Sequence, residues 1–302
     1  MLSDAIAEIQ KLKKERNAVI LAHNYTLAEV QDIADYTGDS LELARRAVQV
    51  EADVIVFCGV YFMAETAKIL NPSKTVLIPE MSAGCPMADM ITGEQLRALK
   101  ASHPGAVAVC YVNSTAEVKA ECDICVTSGN AEKVMATIGR DKEILFVPDR
   151  HLGSHIAEKE GREYVLWQGH CPIHNALTAK AIEAMREKYP NAPILVHPEC
   201  PKAVRDIADE CLSTGGMCAY ALKSDAKTIL VGTEIGILHR LRKENPEKTF
   251  IPISTDIVCA DMKKITLENL LVSLKEMKYK VEVPLEVATK ARCAIDAMLA
   301  VC

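Results

Sequence analysis

A chain of 302 residues, 49% hydrophobic and 25% charged, is long enough to bury a sizeable core, and at roughly 100–200 residues per domain it divides into two or three. A net charge of -6 leaves no basic footprint for nucleic acid, and four Phe and one Trp give bases little to stack on, so small molecules are the expected partners. No apolar run approaches the ~18 residues of a membrane span, and acids stand in "MLSDAIAEIQKLKK" where a signal peptide has its apolar segment; no membrane contact is expected, and the expected location is the cytoplasm.

The first predicted element is an amphipathic helix, "LSDAIAEIQKLKKE". A strand opens "ILAHNYTLAEVQDIADYTGDS" at Ile20, with His23 and Tyr25 in the loop after it and Ser40 at the head of a later helix. "ADVIVFCGVYFMAE" reads as a buried strand feeding a helix, and "TVLIPEMSAGCPM" as a last strand that delivers Cys85. The series then restarts with the helix "ITGEQLRALKAS". "VCYVNSTAEVKAECDICVTSGN" from Val109 carries Tyr111, Asn113 and Ser128, "KEILFVPDRHLGS" repeats the strand and helix, and "YVLWQGHCPIH" delivers Cys171. A third round opens with "LTAKAIEAMREKY", carries His197, Glu199 and Thr214 in "ILVHPECPKAVRDIADECLSTGG", passes "KTILVGTEIGILH" and ends at Cys259 in "FIPISTDIVCADM". "ITLENLLVSLKEM" resembles a fourth copy of the opening helix, followed by "KYKVEV" and a closing helix ending near Cys302.

Asp35, Asp123 and Asp209 fall at one position of this repeat, 88 and 86 residues apart, and Ser40, Ser128 and Thr214 keep the same spacings. Cys85, Cys171 and Cys259 are 86 and 88 apart. Such a period is too long for a solenoid unit and suits a small domain, so the chain reads as a triplication: residues 1–90, 91–176, and 177–302 with a C-terminal helical tail. Apolar runs alternating with helices imply an α/β fold of three αβα domains, each with a small parallel sheet covered on both faces. Ligands bind beyond the C-terminal ends of such strands. Packed about a pseudo-threefold axis with those ends inward, the domains would aim nine loops and three cysteines at one central cavity.

Twelve cysteines in a long chain mean buried thiols, a metal site or catalysis, and the count alone does not choose. Three converging thiolates suit catalytic zinc with an open position, or an iron–sulfur cluster with one iron left for water or substrate. Singly, each thiol would more often be inert core, but the shared repeat position beside polar loops favours ligation. The other nine read as packing; this holds for Cys122 and Cys125 despite their CxxC spacing and for Cys58, Cys110, Cys211, Cys218, Cys293 and Cys302, while Cys200 stays undecided beside the site. Gly with Ser or Thr at a helix start either holds an anion or merely caps the helix, and three such loops facing one cavity favour an anionic substrate such as a phosphate or dicarboxylate. His23 and Tyr25, Tyr111 and Asn113, and His197 and Glu199 supply candidate acids and bases, although one buried His or Tyr is commonly only a satisfied core group.

Through "LAHNY", "DIADYTGDSLELAR", "FMAETAKILNP", "CPMA", "YVNSTAEVKA", "TSGNA", "GHCPIH", "VHPECP", "STGGM", "GTEIG" and "MKKITLENL", nearly the whole chain resembles the quinolinate synthases of NAD biosynthesis. The resemblance implies three pseudo-symmetric αβα domains around a [4Fe–4S] cluster held by Cys85, Cys171 and Cys259. It also implies condensation of iminoaspartate with dihydroxyacetone phosphate to quinolinate, with an aspartate-oxidising enzyme as functional partner. His23, Ser40, Ser128 and Thr214 would contact substrate carboxylate or phosphate, and Tyr25, Tyr111, Asn113, His197 and Glu199 would surround the reacting centre. The chain lacks the C-terminal CxxCxxC-like run of longer members. The competing readings are an iron–sulfur hydro-lyase acting on another small carboxylate and a cluster-bearing sensor of anionic metabolites.

Overall fold

A computed structural model describes residues 2–301. The first unit runs α1 (Leu2–Glu15), β1 (Ala18–His23), α2 (Ala28–Ile33), β2 (Tyr36–Gly38), α3 (Ser40–Gln49), β3 (Val54–Cys58), α4 (Tyr61–Leu70) and β4 (Thr75–Leu77). The second runs α5 (Gly93–Ser102), β5 (Val107–Tyr111), α6 (Ala116–Ala120), β6 (Ile124–Val126), α7 (Ala131–Met135), β7 (Ile144–Val147), α8 (Arg150–Glu160) and β8 (Val165–Leu166). After the short α9 (Pro172–Asn175), the third repeats the order as α10 (Ala179–Lys188), β9 (Ile194–Val196), α11 (Lys202–Arg205), β10 (Glu210–Cys211), α12 (Thr214–Lys223), β11 (Thr228–Gly232), α13 (Ile237–Glu244) and β12 (Thr249–Pro252). Then come α14 (Ala260–Lys263), α15 (Leu267–Glu276) and α16 (Leu285–Val301).

Each unit forms its own parallel four-stranded sheet, in the order β2-β1-β3-β4, β6-β5-β7-β8 and β10-β9-β11-β12. The central strands are apolar on both faces, as in "VIVFC" of β3, because helices cover both sides of a parallel sheet. The three expected αβα layers are therefore present.

The repeat aspartates show how closely the units match. Asp35, Asp123 and Asp209 each accept the backbone N–H of a first-strand residue, Ile20, Ala108 and Ile194, at 2.8, 2.7 and 2.8 Å. Each also faces a cation from its unit's opening helix: Lys13 at 2.7 Å, Lys100 at 3.4 Å and Arg186 at 3.1 Å. The aspartate thus ties helix, first strand and second strand together, a structural reason for its place in the repeat.

The cores cross between units. One apolar cluster joins the first and third through Val56, Ile237 and Phe250, and a second fills the middle unit around Val109 and Phe146. The tail returns to the earlier units: α15 packs on α1, and α16 lays Ala291, Ala294, Ile295 and Met298 against α6 and β6. No helix among the described residues is long and apolar enough to cross a membrane.

Candidate active site

The loops leaving the first, second and fourth strands of all three units meet at one cavity of about 310 Å³. The first-strand loops supply His23 and Tyr25, Tyr111 and Asn113, and His197 and Glu199. The second-strand loops supply Ser40, Ser128 and Thr214, and the fourth-strand loops Cys85, Cys171 and Cys259. Every site residue singled out from the sequence lies on its wall.

Glu199 is the electrostatic centre. Its Oε1 accepts the Tyr111 hydroxyl at 2.6 Å and the Asn113 amide at 3.3 Å, while its Oε2 lies 2.7 Å from His174 Nδ1 and 3.8 Å from His197 Nδ1. Burial alone would raise this carboxyl, but the His197 and His174 rings and the Tyr111 hydroxyl hold it below the usual carboxylate range. Burial brings the His23 and His197 rings down to about 3, so both are neutral near pH 7. It raises the Tyr25 and Tyr111 phenols well above their ordinary value, with the Glu199 charge adding to the effect.

The second-strand loops refine the choice between anion holder and cap. In α3 the cap is Asp39, whose Oδ1 accepts Leu41 and Glu42 N–H, and in α12 it is Ser213, so Ser40 and Thr214 lie one residue inside and face the cavity. Thr214 Oγ1 accepts the Asn24 side chain at 3.0 Å. In the middle unit, Asn130 ties down Thr127 at 2.7 Å, and Ser128 sits between, beside Tyr111.

His174, Thr233, Asp149 and Glu234 were not anticipated. His174 bridges three groups: its Nδ1 reaches Glu199 and lies 3.3 Å from Cys171 Sγ, and its Nε2 shares Thr233 Oγ1 at 2.7 Å with the Tyr25 hydroxyl at 2.5 Å. Its sequence signal was its place three residues after Cys171. Asp149 accepts the Cys171 N–H at 3.2 Å, and Glu234 the Cys259 N–H at 3.1 Å.

Two donor sets for a metal overlap at Cys171. The Cys171 thiol, His174 ring and Glu199 carboxylate have donor atoms within 4.8 Å of one another. The 2.7 Å contact between His174 and Glu199 is already a hydrogen bond, which an ion would have to break. The three cavity thiols form the other set. They are close enough that the charge of Cys259 raises Cys85 and that of Cys85 raises Cys171. Burial keeps all three thiols protonated, pushing Cys85 up to about 12, while backbone N–H groups of Ala88, His174 and Met262, each three residues on, favour the thiolate. A soft cation supplies the missing positive charge and deprotonates such thiols outright. The donor set thus fits a thiolate-ligated centre.

The other cysteines divide as follows. Cys58, Cys110, Cys125, Cys200 and Cys218 are buried, Cys122 and Cys211 partly so, and none of these seven lines the cavity. Cys200 bonds the Gly232 carbonyl at 3.7 Å, which settles it as packing. Cys293 is a correction: it is exposed on α16, its thiol turned to the Thr289 carbonyl, because the buried stripe of that helix runs through Ala291, Ala294 and Ile295. Cys302 falls outside the described residues.

The family model described as "NadA: Quinolinate synthetase A protein" matches residues 7–300. The quinolinate synthase of Dehalococcoides mccartyi (strain CBDB1) is 56% identical over 301 residues, covering 100% of this chain and 98% of its own. That of a Thermus thermophilus strain is 51% identical over 312 residues, covering 100% and 99%, and that of Geobacter metallireducens 51% over 302, covering 100% and 99%. With matches of this extent and a cavity built from the same three repeats, the chain belongs to the quinolinate synthase family.

Proposed function

We propose that this protein condenses iminoaspartate with dihydroxyacetone phosphate to quinolinate, releasing phosphate and water, and that Cys85, Cys171 and Cys259 hold a [4Fe–4S] cluster. The observation that carries the reading is the convergence of three repeat-related thiols with the Glu199 network in one cavity. A cluster with three protein thiolates keeps one iron available as a Lewis acid toward a substrate hydroxyl or carboxylate.

The chain's own groups do the rest. Ring formation from an imine and a triose phosphate needs repeated proton shifts between carbon and oxygen, hence acids and bases in fixed places. Glu199, held ionised, is the base, and it takes a proton at Oε1 or Oε2 when substrate displaces a present donor. Tyr25 and Tyr111 keep their phenolic protons and serve as acids toward a leaving or developing oxygen anion. His23 and His197, neutral, each spend Nδ1 on a backbone N–H, of Tyr25 at 3.2 Å and of Glu199 at 3.3 Å, which fixes the tautomer and leaves Nε2–H to donate to a carboxylate. Asn113 Oδ1 is buried with no partner, an acceptor open to a substrate amine. The Ser40, Ser128 and Thr214 loops hold the anionic groups.

The test is product formation by anaerobically reconstituted protein. Quinolinate and inorganic phosphate should appear together, and only when dihydroxyacetone phosphate and an aspartate-oxidising source of iminoaspartate are both supplied. Turnover without the triose phosphate would favour a hydro-lyase, and binding without turnover a sensor.

A further inference from the structure

We propose that Asp149 and Glu234 are paired positioning residues that fix two corners of the thiolate triad, those of Cys171 and Cys259, and that the Cys85 corner is built without one. This rests on the reading of the three thiols as ligands of one centre.

The two carboxylates occupy the same repeat position, two residues beyond the end of the third strand, in Val147-Pro148-Asp149 and Gly232-Thr233-Glu234. Both are completely buried, which is costly for a carboxylate unless its oxygens are bonded. In each, one oxygen serves the start of the following segment. Asp149 Oδ1 accepts the N–H groups of His151 and Leu152 at 2.7 and 2.8 Å, and Glu234 Oε2 accepts Gly236 N–H at 2.7 Å. The second oxygen crosses to the neighbouring loop, Asp149 Oδ2 to Cys171 N–H at 3.2 Å and Glu234 Oε1 to Cys259 N–H at 3.1 Å. Lys263 completes the Glu234 arrangement with an ion pair at 2.8 Å. Two units therefore brace the exit of the third strand to the backbone of the cysteine through one side chain. Groups that orient metal ligands in this way tune the site as strongly as many ligands do.

In the first unit the matching tripeptide is Cys58-Gly59-Val60, and Val60 is buried with no oxygen to offer. That loop is tied instead by Tyr61 N–H to the Ala83 carbonyl at 2.8 Å, two residues short of Cys85. The threefold likeness of the chain thus breaks at the support of its cysteines.

The variants Asp149→Asn and Glu234→Gln preserve shape but have one acceptor oxygen where the carboxylate uses two, so neither can keep all its bonds. In reconstituted protein, the half-time for loss of the iron–sulfur absorbance to a chelator should shorten ~10–100-fold in each. Ile182→Val, in the core under α10, serves as a remote destabilised control and should strip at the wild-type rate. Stripping at the wild-type rate in both amide variants overturns the proposal. If either variant fails to fold, hydrogen exchange on the wild-type apoprotein decides: the amides of Cys171 and Cys259 should exchange more slowly than that of Cys85, and equal protection at all three overturns it. A wild-type protein that acquires no iron would sink the proposed cluster while leaving the exchange result to stand or fall by itself.

Discussion

Glu199→Gln isolates the role of charge at the centre of the cavity. The glutamine has the same volume, so the packing around this buried position survives, but the change strikes every bond the carboxylate makes. Oε1 accepts from Tyr111 and Asn113, and Oε2 from His174, so an amide must turn its NH₂ toward one of these donors. It also cannot take up a proton near neutral pH. General acid–base groups contribute ~10²–10⁴-fold to rate, which at about 1.4 kcal/mol per decade is roughly 3–5 kcal/mol of transition-state stabilisation. The measurement is quinolinate formation with iron content matched to wild type. Turnover should fall by that factor while the cluster's absorbance is unchanged, because Glu199 is not one of the three thiolate ligands. A variant within about threefold of wild type would refute the assignment of Glu199 as base, since loss of charge at the centre of the cavity cannot be neutral if that charge moves protons.

Thr233→Val keeps the shape but removes the hydroxyl shared by Tyr25 and His174; leaving those buried groups unpaired should cost about 1–3 kcal/mol, read as a lower denaturation midpoint together with slower turnover. Asp209→Ala deletes the tie between α10, β9 and β10 in the third unit and should lower stability by about 1–3 kcal/mol, measured by denaturant unfolding, while the iron content is kept. Asp32, held below its ordinary 3.8 by its bonds to Lys243 and His239, contributes stability that is present above that value and lost as pH falls through its lower folded one. Asp32→Asn should therefore be less stable than wild type by about 0.2–1 kcal/mol at pH 7, the gap closing in acid; a gap that widened toward acid would reverse the sign of the argument.

The parts of this molecule legible from sequence are those written three times. The repeated Asp35, Asp123 and Asp209 gave the register, the register placed the nine loops, and those loops do meet at one cavity. Residues specific to one unit were harder to see. His174 and Thr233 connect Tyr25 of the first unit to Glu199 of the third, a contact that arises only when different units pack together. Asp149 and Glu234 share a repeat position, but Val60 in the first copy hides the pattern from anyone seeking threefold agreement. The tail has no repeat partner. Its apolar faces require a cover, but the choice of α1 and α6 as covers is a matter of three-dimensional packing. Cys293 was misplaced for a related reason, since an apolar neighbourhood in sequence does not say on which side of a helix a residue falls.

The account stands most directly on the three cysteines. Cys85→Ala, Cys171→Ala and Cys259→Ala, purified without oxygen and reconstituted with iron and sulfide, should each lose the [4Fe–4S] absorbance and bind well under the roughly four irons of such a cluster. Cys122→Ala and Cys125→Ala, whose thiols lie outside the cavity, should keep both. An intact cluster in any of the first three variants, or zinc in place of iron in the wild-type protein, would contradict it.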